Sequence, residues 1–322
     1  MALELTQVQA VTNDYWDKKL YDIFFTENVL LYMLMAGGKA AADIVKANAL
    51  VDGGQMIRVF LEYGKGHTGA YGNTTKIPQS KVDIVNAARF RWAGYYASNA
   101  IDLDEQIQNS GGAQMIDLVY TKMKNIEKSL RDQMGSSIYS SASTDYDFLG
   151  LGNLFNTTGS TAYGTIAEDD MAQWAANVIT TSRPISFKVM QEIFRTPAIG
   201  MSRKKKPNLC ITTEALKDGY ERTLQTQQRF SDQRLVEAGF DNILHKGAPV
   251  VADDNQTSGY LDALNTDYLK IKTHKDFNFT TPKWEYDKEQ PDIFVANTRW
   301  IGQLICSNRK AHVRHTNLSE PN

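Results

Sequence analysis

Between residues 115 and 138 apolar side chains recur at steps of three and four: Met115, Val119, Met123, Ile126, Leu130, Met134 and Ile138. That spacing places them on one face of an α-helix. Lys122, Lys124, Glu127, Lys128 and Arg131 fill much of the remaining surface, so the helix is amphipathic. At 1.5 Å per residue it would run about 40 Å. A rod of that length with a single apolar stripe must lie along a second layer, and it predicts a spine helix in an α+β fold. Asn109 or Ser110 can cap its start.

Upstream the period changes to two. Ile57, Val59, Leu61 and Tyr63 alternate with Arg58, Phe60 and Glu62; later Val82 and Ile84 share one face, and Phe90 and Trp92 share one. The two runs predict an extended β-hairpin over 51–100. Its tip, from Gly64 to Ser80, carries Gly64, Gly66, Gly69, Gly72 and Pro78, residues that favour irregular backbone. Ordinary hairpin loops have about two to five residues, so this tip is either functional or disordered. A two-stranded ribbon is marginal alone in water, and it is predicted to lean on a neighbour. Residues 1–50 read as an arm. Tyr15, Trp16, Leu20, Tyr21, Phe24 and Phe25 share a helical face, and the apolar run from Val29 to Ala36 ends at Gly37 and Gly38. The arm lacks a partner of its own and must pack onto something in this chain or another.

Downstream, 140–165 is rich in Ser, Thr, Gly and Asn and reads as surface loop. Residues 166–290 mix helix and strand. Glu168, Asp169 and Asp170 suggest a helix start before Trp174 and Val178. Pro184 can open a helix whose apolar side holds Phe187, Met190, Ile193 and Phe194, and Thr213 can cap another holding Leu216, Tyr220 and Leu224. Strands are expected at 209–211, 249–251 and 268–272, and again at 293–295 and 303–306. No repeat of fixed period occurs.

A length of 322 residues suits about two lobes. Lys plus Arg is 35, Asp plus Glu 37, and the net charge −2; a neutral chain has little general pull on a nucleic-acid backbone. Two cysteines, Cys210 and Cys306, exclude a disulfide-built scaffold and fit a reducing compartment. The first ten residues lack a signal-peptide pattern, and the longest apolar stretch falls short of the roughly 20 residues a membrane span needs. Chemical motifs fail in turn. Gly38 and Lys39 end like a phosphate loop, but Met33 and Ala40 break the pattern. Gly150 and Gly152 lack the third glycine of a dinucleotide turn, and no nucleophile elbow is present. Cys306, His312 and His315 match no zinc spacing and want a fourth ligand. Asp253 and Asp254 read as a turn. The basic run Arg203 to Lys206 is either a phosphate or partner contact or a solvated loop, and reads better as the loop. Catalytic, cofactor and metal sites are therefore not expected.

Short pieces complete the pattern: ARFRW at 88–92, YGTI at 163–166 ahead of Trp174, Gly239 and Phe240 leading to GAPVVAD at 247–253, and GQLICSNRKAH at 302–312. In this order, with these elements, the chain resembles the major capsid proteins of tailed bacteriophages, the Hong Kong phage-type shell fold. The resemblance implies an N-terminal arm (1–50), an extended β-hairpin loop (51–100), a peripheral domain with the spine helix (101–149 and 291–322) and an α+β axial domain (150–290). It implies a structural role and no enzyme. Copies would assemble as pentamers and hexamers into an icosahedral head shell around double-stranded DNA, held only non-specifically. Partners would be scaffolding, portal and decoration proteins, with no membrane. The location would be the virion, with assembly in the host cytoplasm. The short arm leaves little room for a built-in assembly segment, so a separate scaffolding protein is expected. Some members join subunits through a lysine–asparagine bond. Lys65, Lys76 and Asn308 are present, but nothing in the sequence brings them together, and non-covalent locking is expected. Intersubunit contacts are expected at Trp16, Phe24 and Phe25 in the arm, at Lys65, Tyr71 and Lys76 in the tip, and at Arg58, Glu62, Arg89 and Arg91 on the ribbon, whose charges would set register. The alternatives are an encapsulin-like nanocompartment shell around a protein cargo and, in another class, a cytosolic α+β enzyme with an unrecognised site.

Overall fold

A computed structural model of the chain describes residues 28–36, 50–72, 76, 78, 80–108, 112–159, 162–198, 206–224, 236, 241–280, 285–287, 289–290 and 292–321. The first half contains α1 (Val29–Ala36), β1 (Leu50–Val51), β2 (Ile57–Glu62), β3 (Val85–Phe90), β4 (Ala93–Asp102), α2 (Leu103–Gln108), the long helix α3 (Gly112–Tyr139) and the single turn α4 (Leu151–Leu154). Then follow β5 (Asn177–Ile179), β6 (Arg183–Pro184), α5 (Phe187–Arg195), β7 (Leu209–Thr212), α6 (Glu214–Thr223), β8 (Asn242–His245), β9 (Ala248–Ala252) and β10 (Leu261–Leu264). Last come β11 (Leu269–His274), β12 (Glu285–Tyr286), β13 (Ile293–Cys306), β14 (Val313–His315) and β15 (Leu318–Ser319).

The stripe on α3 does what its spacing predicts. Val119, Met123, Ile126, Leu130, Met134 and Ile138 are all buried in the larger core. The helix lies against β4, whose Ala93, Tyr95, Ala97 and Ile101 point inward while Gly94, Tyr96 and Ser98 face out. Lys122 ties the two layers, donating to the Ala100 carbonyl at 3.2 Å and pairing with Glu105 at 3.0 Å. Beneath α3, β4 runs antiparallel to β13 from Ala93 opposite Gly302 to Asp102 opposite Ile293. β13 then pairs with β11, β12 takes its other end, and β1 adds a parallel edge on β11. The two expected pieces 293–295 and 303–306 are thus one 14-residue strand. Polar Asn297, Thr298 and Arg299 hid the link, yet Thr298 is buried and Trp300 beside it sits at the centre of an aromatic group with Phe148 and Tyr95.

The second sheet has the order β5-β14-β10-β7-β9-β8. Alternate residues serve different cores: Leu209, Ile211 and Val251 face the larger core, while Cys210 and Val250 face a smaller one completed by α5 and α6. Burial on both faces explains why β7 opens with the unbroken apolar run Leu209–Ile211, and β10 is buried along its whole length although Asp262 interrupts its apolar residues. One charge pair lies inside this sheet. Arg314 of β14 stands opposite Asp262 of β10 and makes two 2.7 Å hydrogen bonds to its carboxylate. Gln256 donates to the same carboxylate at 2.8 Å. β11 belongs to the first sheet, whereas β14 lies in the second and β15 pairs with β6, so the chain crosses between the two large sheets more than once.

Several expectations are corrected. Residues 140–165 are no surface loop: Phe148, Leu151, Leu154, Phe155 and Tyr163 are buried, because large apolar side chains are interleaved with the small residues that dominated the composition. The acidic run at 168–170 starts no long helix. A short 3-10 turn (172–174) and β5 follow it, and Glu168 turns to an ion pair with Arg309 at 3.1 Å. Pro184 lies in β6; Ser186 caps α5, accepting from the Val189 N–H at 3.4 Å. Thr213 holds the N-cap position of α6 without a side-chain cap. α1 finds its partner in this chain. The Leu31 N–H donates to the Asn28 side chain at 2.9 Å, and Val29, Leu30 and Leu31 enter the larger core.

Candidate assembly surface

The hairpin β2–β3 forms a sheet of its own. Its register sets Ile57 opposite Phe90, Arg58 opposite Arg89, Val59 opposite Ala88, Phe60 opposite Ala87, and Glu62 opposite Val85. Cross-strand pairs share a face, so the ribbon has two distinct sides. On the inner side Ile57, Leu61, Ala88 and Phe90 are buried within the larger core. The ribbon therefore does not need another chain to cover that face, which corrects the expectation that it must lean on a neighbour. The outer side stays open. Phe60 is 76% exposed and Val85 61% exposed, flanked by exposed Arg58, Arg89 and Glu62. The return strand begins at Val85 and ends at Phe90; Val82 and Ile84 precede it and Trp92 follows it.

A built anchor holds the base of the ribbon. The Arg89 N–H donates to the Gly164 carbonyl at 2.8 Å. Gly164 has φ +63°, and a Cβ there would meet Phe90 Cζ at 2.9 Å and Ala88 Cβ at 3.1 Å, so only glycine fits both the backbone and the space. Phe90 meets Tyr163 edge-on at 5.3 Å, and Trp174 stacks on Tyr163 while donating its indole N–H to the Tyr163 carbonyl at 2.9 Å. Below them lies Arg309, 1% exposed. Its guanidinium sits 5.2 Å from the centre of the Tyr163 ring. It donates to Leu154 O at 2.7 and 3.0 Å, to Asn156 O at 2.9 Å and to Trp174 O at 3.0 Å. Burial lowers the Arg309 pKa, and the nearby Glu168 carboxylate opposes that shift. The pieces at 88–92, 163–166 and 302–312 thus meet at one joint, which neither periodicity nor composition could reveal.

Beyond Glu62 the ladder closes with the Tyr63 and Gly64 N–H groups donating to the Ile84 carbonyl at 3.0 and 3.3 Å. Farther out His67 Nε2 and Ser80 Oγ lie 2.9 Å apart and bridge the two limbs of the tip. Lys65, Tyr71 and Lys76 are exposed there. Arg58 and Arg89 face each other as like charges, and among the described residues no carboxylate pairs with either. Arg91 is placed differently: it reaches Asp145 at 2.5 Å and the Thr144 carbonyl at 2.8 Å, inside its own chain. Trp16, Phe24 and Phe25 lie outside the described residues. Lys65 and Lys76 sit in the ribbon tip, whereas Asn308 directly precedes Arg309 at the anchor.

Several other buried polar groups pair inside the chain. Cys306 Sγ lies 3.4 Å from His312 Nε2, and His312 Nδ1 accepts from the Asn265 N–H at 3.1 Å. Burial pushes the Cys306 thiol up to about 12 and the His312 imidazole down to about 3, which leaves an inert thiol beside a neutral imidazole. Tyr139 donates to Asp253 at 2.7 Å. Among the described residues no group of His, Cys, Asp and Glu is placed to hold a metal ion, and no helix is long and apolar enough to cross a membrane.

No family model matches the chain, and no curated protein sequence matches it. Solved structures do. The capsid asymmetric unit of cyanophage A-1(L) superposes with a TM-score of 0.69 at 15% identity, over 91% of this chain and 93% of that one. The capsid of the native GTA particle gives 0.57 at 10% identity, over 87% and 91%. The capsid of the Myoviridae phage XM1 gives 0.53 at 10% identity, over 84% and 89%. Similarity of this extent at so low an identity is similarity of fold, and the chain has the α+β fold of tailed-phage capsid subunits.

Proposed function

We propose that this chain is a major capsid protein whose copies assemble, as pentamers and hexamers, into an icosahedral head shell around double-stranded DNA. The observation that carries the reading is the outer ribbon face. An exposed phenylalanine and valine lie beside the cross-strand pair Arg58–Arg89, which has no carboxylate partner among the described residues, on an anchored hairpin in a chain with a capsid fold. Solvent gains nothing from such a face, and an apolar patch rimmed by charge is the usual mark of a protein contact. In this reading α3 is the spine helix of a peripheral domain (101–149 and 291–322), 150–290 is the axial domain, and residues 1–50 are an arm. Arg58, Phe60, Val85 and Arg89 meet the neighbouring subunit, and Lys65, Tyr71 and Lys76 extend that contact. Arg91 is already committed to Asp145. A scaffolding protein directs assembly in the host cytoplasm, and portal and decoration proteins complete the virion. The role is structural rather than catalytic.

The test is expression of the chain alone and with candidate scaffolding proteins, followed by gradient sedimentation and negative-stain microscopy. Shells, or isolated pentamers and hexamers, are the expected products. A compact monomer in every combination would overturn the reading.

A further inference from the structure

A polar cleft of about 380 Å³ opens on the smaller core, away from the ribbon. Three separate segments line it. α5 contributes Lys188, Gln191 and Arg195, spaced three, four and seven residues apart and so on one helical face. Lys206 comes from the segment leading into β7, and Lys246 from the turn between β8 and β9. Buried Phe194 of α5 also lines it.

The charge in this cleft is unbalanced. The one carboxylate in its lining, Glu192, is taken by Arg183 at 2.8 Å, and the hydrogen bond from Arg183 holds its pKa below the usual range. Among the described residues none of Lys188, Arg195, Lys206 and Lys246 has an ion-pair partner. Burial lowers the Lys246 pKa, and the neighbouring Lys206 lowers it further, so the two ammonium groups repel across the cleft. The chain as a whole carries a net charge of −2, which means the cluster is local and not the by-product of a basic protein.

Lys246 is also costly where it stands. Its φ is +52° and that of Gly247 is +85°, the left-handed pair of a tight hairpin turn. Asparagine or glycine adopts that conformation readily, whereas a lysine costs roughly 1 kcal/mol there. Strained positions of this kind gather at ligand-binding sites.

We propose that this cleft binds a compact anion bearing several phosphates, clasped by Lys188, Arg195, Lys206 and Lys246. The volume lies at the small end of the ligand-pocket range of about 300–1,000 Å³, which fits a triphosphate group. The mainly polar lining suits a charged ligand over an apolar one. The same phosphate chemistry can come from a free phosphoanion or from the backbone of DNA. The proposal stands on the cleft alone and does not depend on the shell reading.

The test is calorimetric titration of the purified full chain with inorganic tripolyphosphate at low salt, repeated for a Lys188→Gln/Lys246→Asn variant. Lys188 is an exposed helix residue, and asparagine accepts the left-handed turn, so this variant should melt within a few degrees of the parent. Saturable binding is expected, weakened about tenfold or more by the double substitution, since each charge–phosphate contact contributes modestly. A short DNA duplex that displaces tripolyphosphate would assign the site to DNA backbone phosphates; a duplex that does not would assign it to a free phosphoanion. No saturable binding, or binding that the double substitution leaves unchanged, would overturn the proposal.

Discussion

Phe60 is the residue on which the assembly reading can be tested with least disturbance to the fold. It is 76% exposed and its cross-strand partner is Ala87, so truncating it removes almost no packing from the subunit. Phe60→Ala should change subunit stability by no more than about 0.5 kcal/mol. If the outer ribbon face is covered in the assembly, the same truncation forfeits about 1.5–3 kcal/mol of burial for every copy. That corresponds to a loss of roughly 10- to 150-fold in association per contact, repeated around each ring of subunits. Static light scattering against protein concentration reads the assembly threshold, and thermal melting of the unassembled subunit reads the fold. The expected result is a threshold raised by at least about tenfold with the melting temperature unchanged. Phe60→Tyr keeps the ring area and should assemble near the parental threshold. A Phe60→Ala chain that assembles at the parental concentration would refute the reasoning, and so would one that loses stability instead.

Arg309→Met should destabilise the fold by about 3–5 kcal/mol, because it leaves Glu168 and three backbone carbonyls without their cation; urea unfolding followed by tryptophan fluorescence measures it. Adding Glu168→Gln should restore part of the loss by removing the stranded charge. Gly164→Ala should cost about 2 kcal/mol, from its left-handed φ and the 2.9 Å approach to Phe90 Cζ, and should speed proteolysis within the ribbon before the rest of the chain is cut. Acid should weaken the fold through its buried histidines. Burial lowers His245 to about 4 and His312 to about 3, below the unfolded value of about 6.5. The unfolded chain therefore takes up protons first, and stability present above pH 6.5 is lost as the pH falls toward 4. His245 alone accounts for about 3 kcal/mol of this, while Asp253, raised by burial, opposes it. Melting temperatures from pH 7 to 4.5 should fall steeply, and less steeply for His245→Gln.

What the sequence reveals depends on whether the signal is local. α3 was legible because one unbroken period runs from Val119 to Ile138, and every one of those stripe residues is buried. The two sides of the ribbon were legible because period two assigns faces whatever the partner. Which strands pair is not a local property, so β13 was read as two pieces and the membership of β11 and β14 was not evident. Glycine misled where it serves close approach and not a turn. A Cβ on Gly150 would lie 2.4 Å from the Ser140 carbonyl, and the segment around it is packed core. The anchor at Arg309 left no trace, since its partners are mostly backbone carbonyls far away in sequence. Lys206 was read as part of a solvated run, and only the fold brings it to Lys188 and Lys246.

The central claim is that the outer face of the ribbon meets a second copy of this chain. A photo-cross-linking side chain placed at position 60 in assembled particles tests it most directly. The expected product has twice the chain's mass on a denaturing gel, with the cross-linked peptide mapping to another copy. Particles that form fully yet yield only uncross-linked or internally linked chains would contradict it.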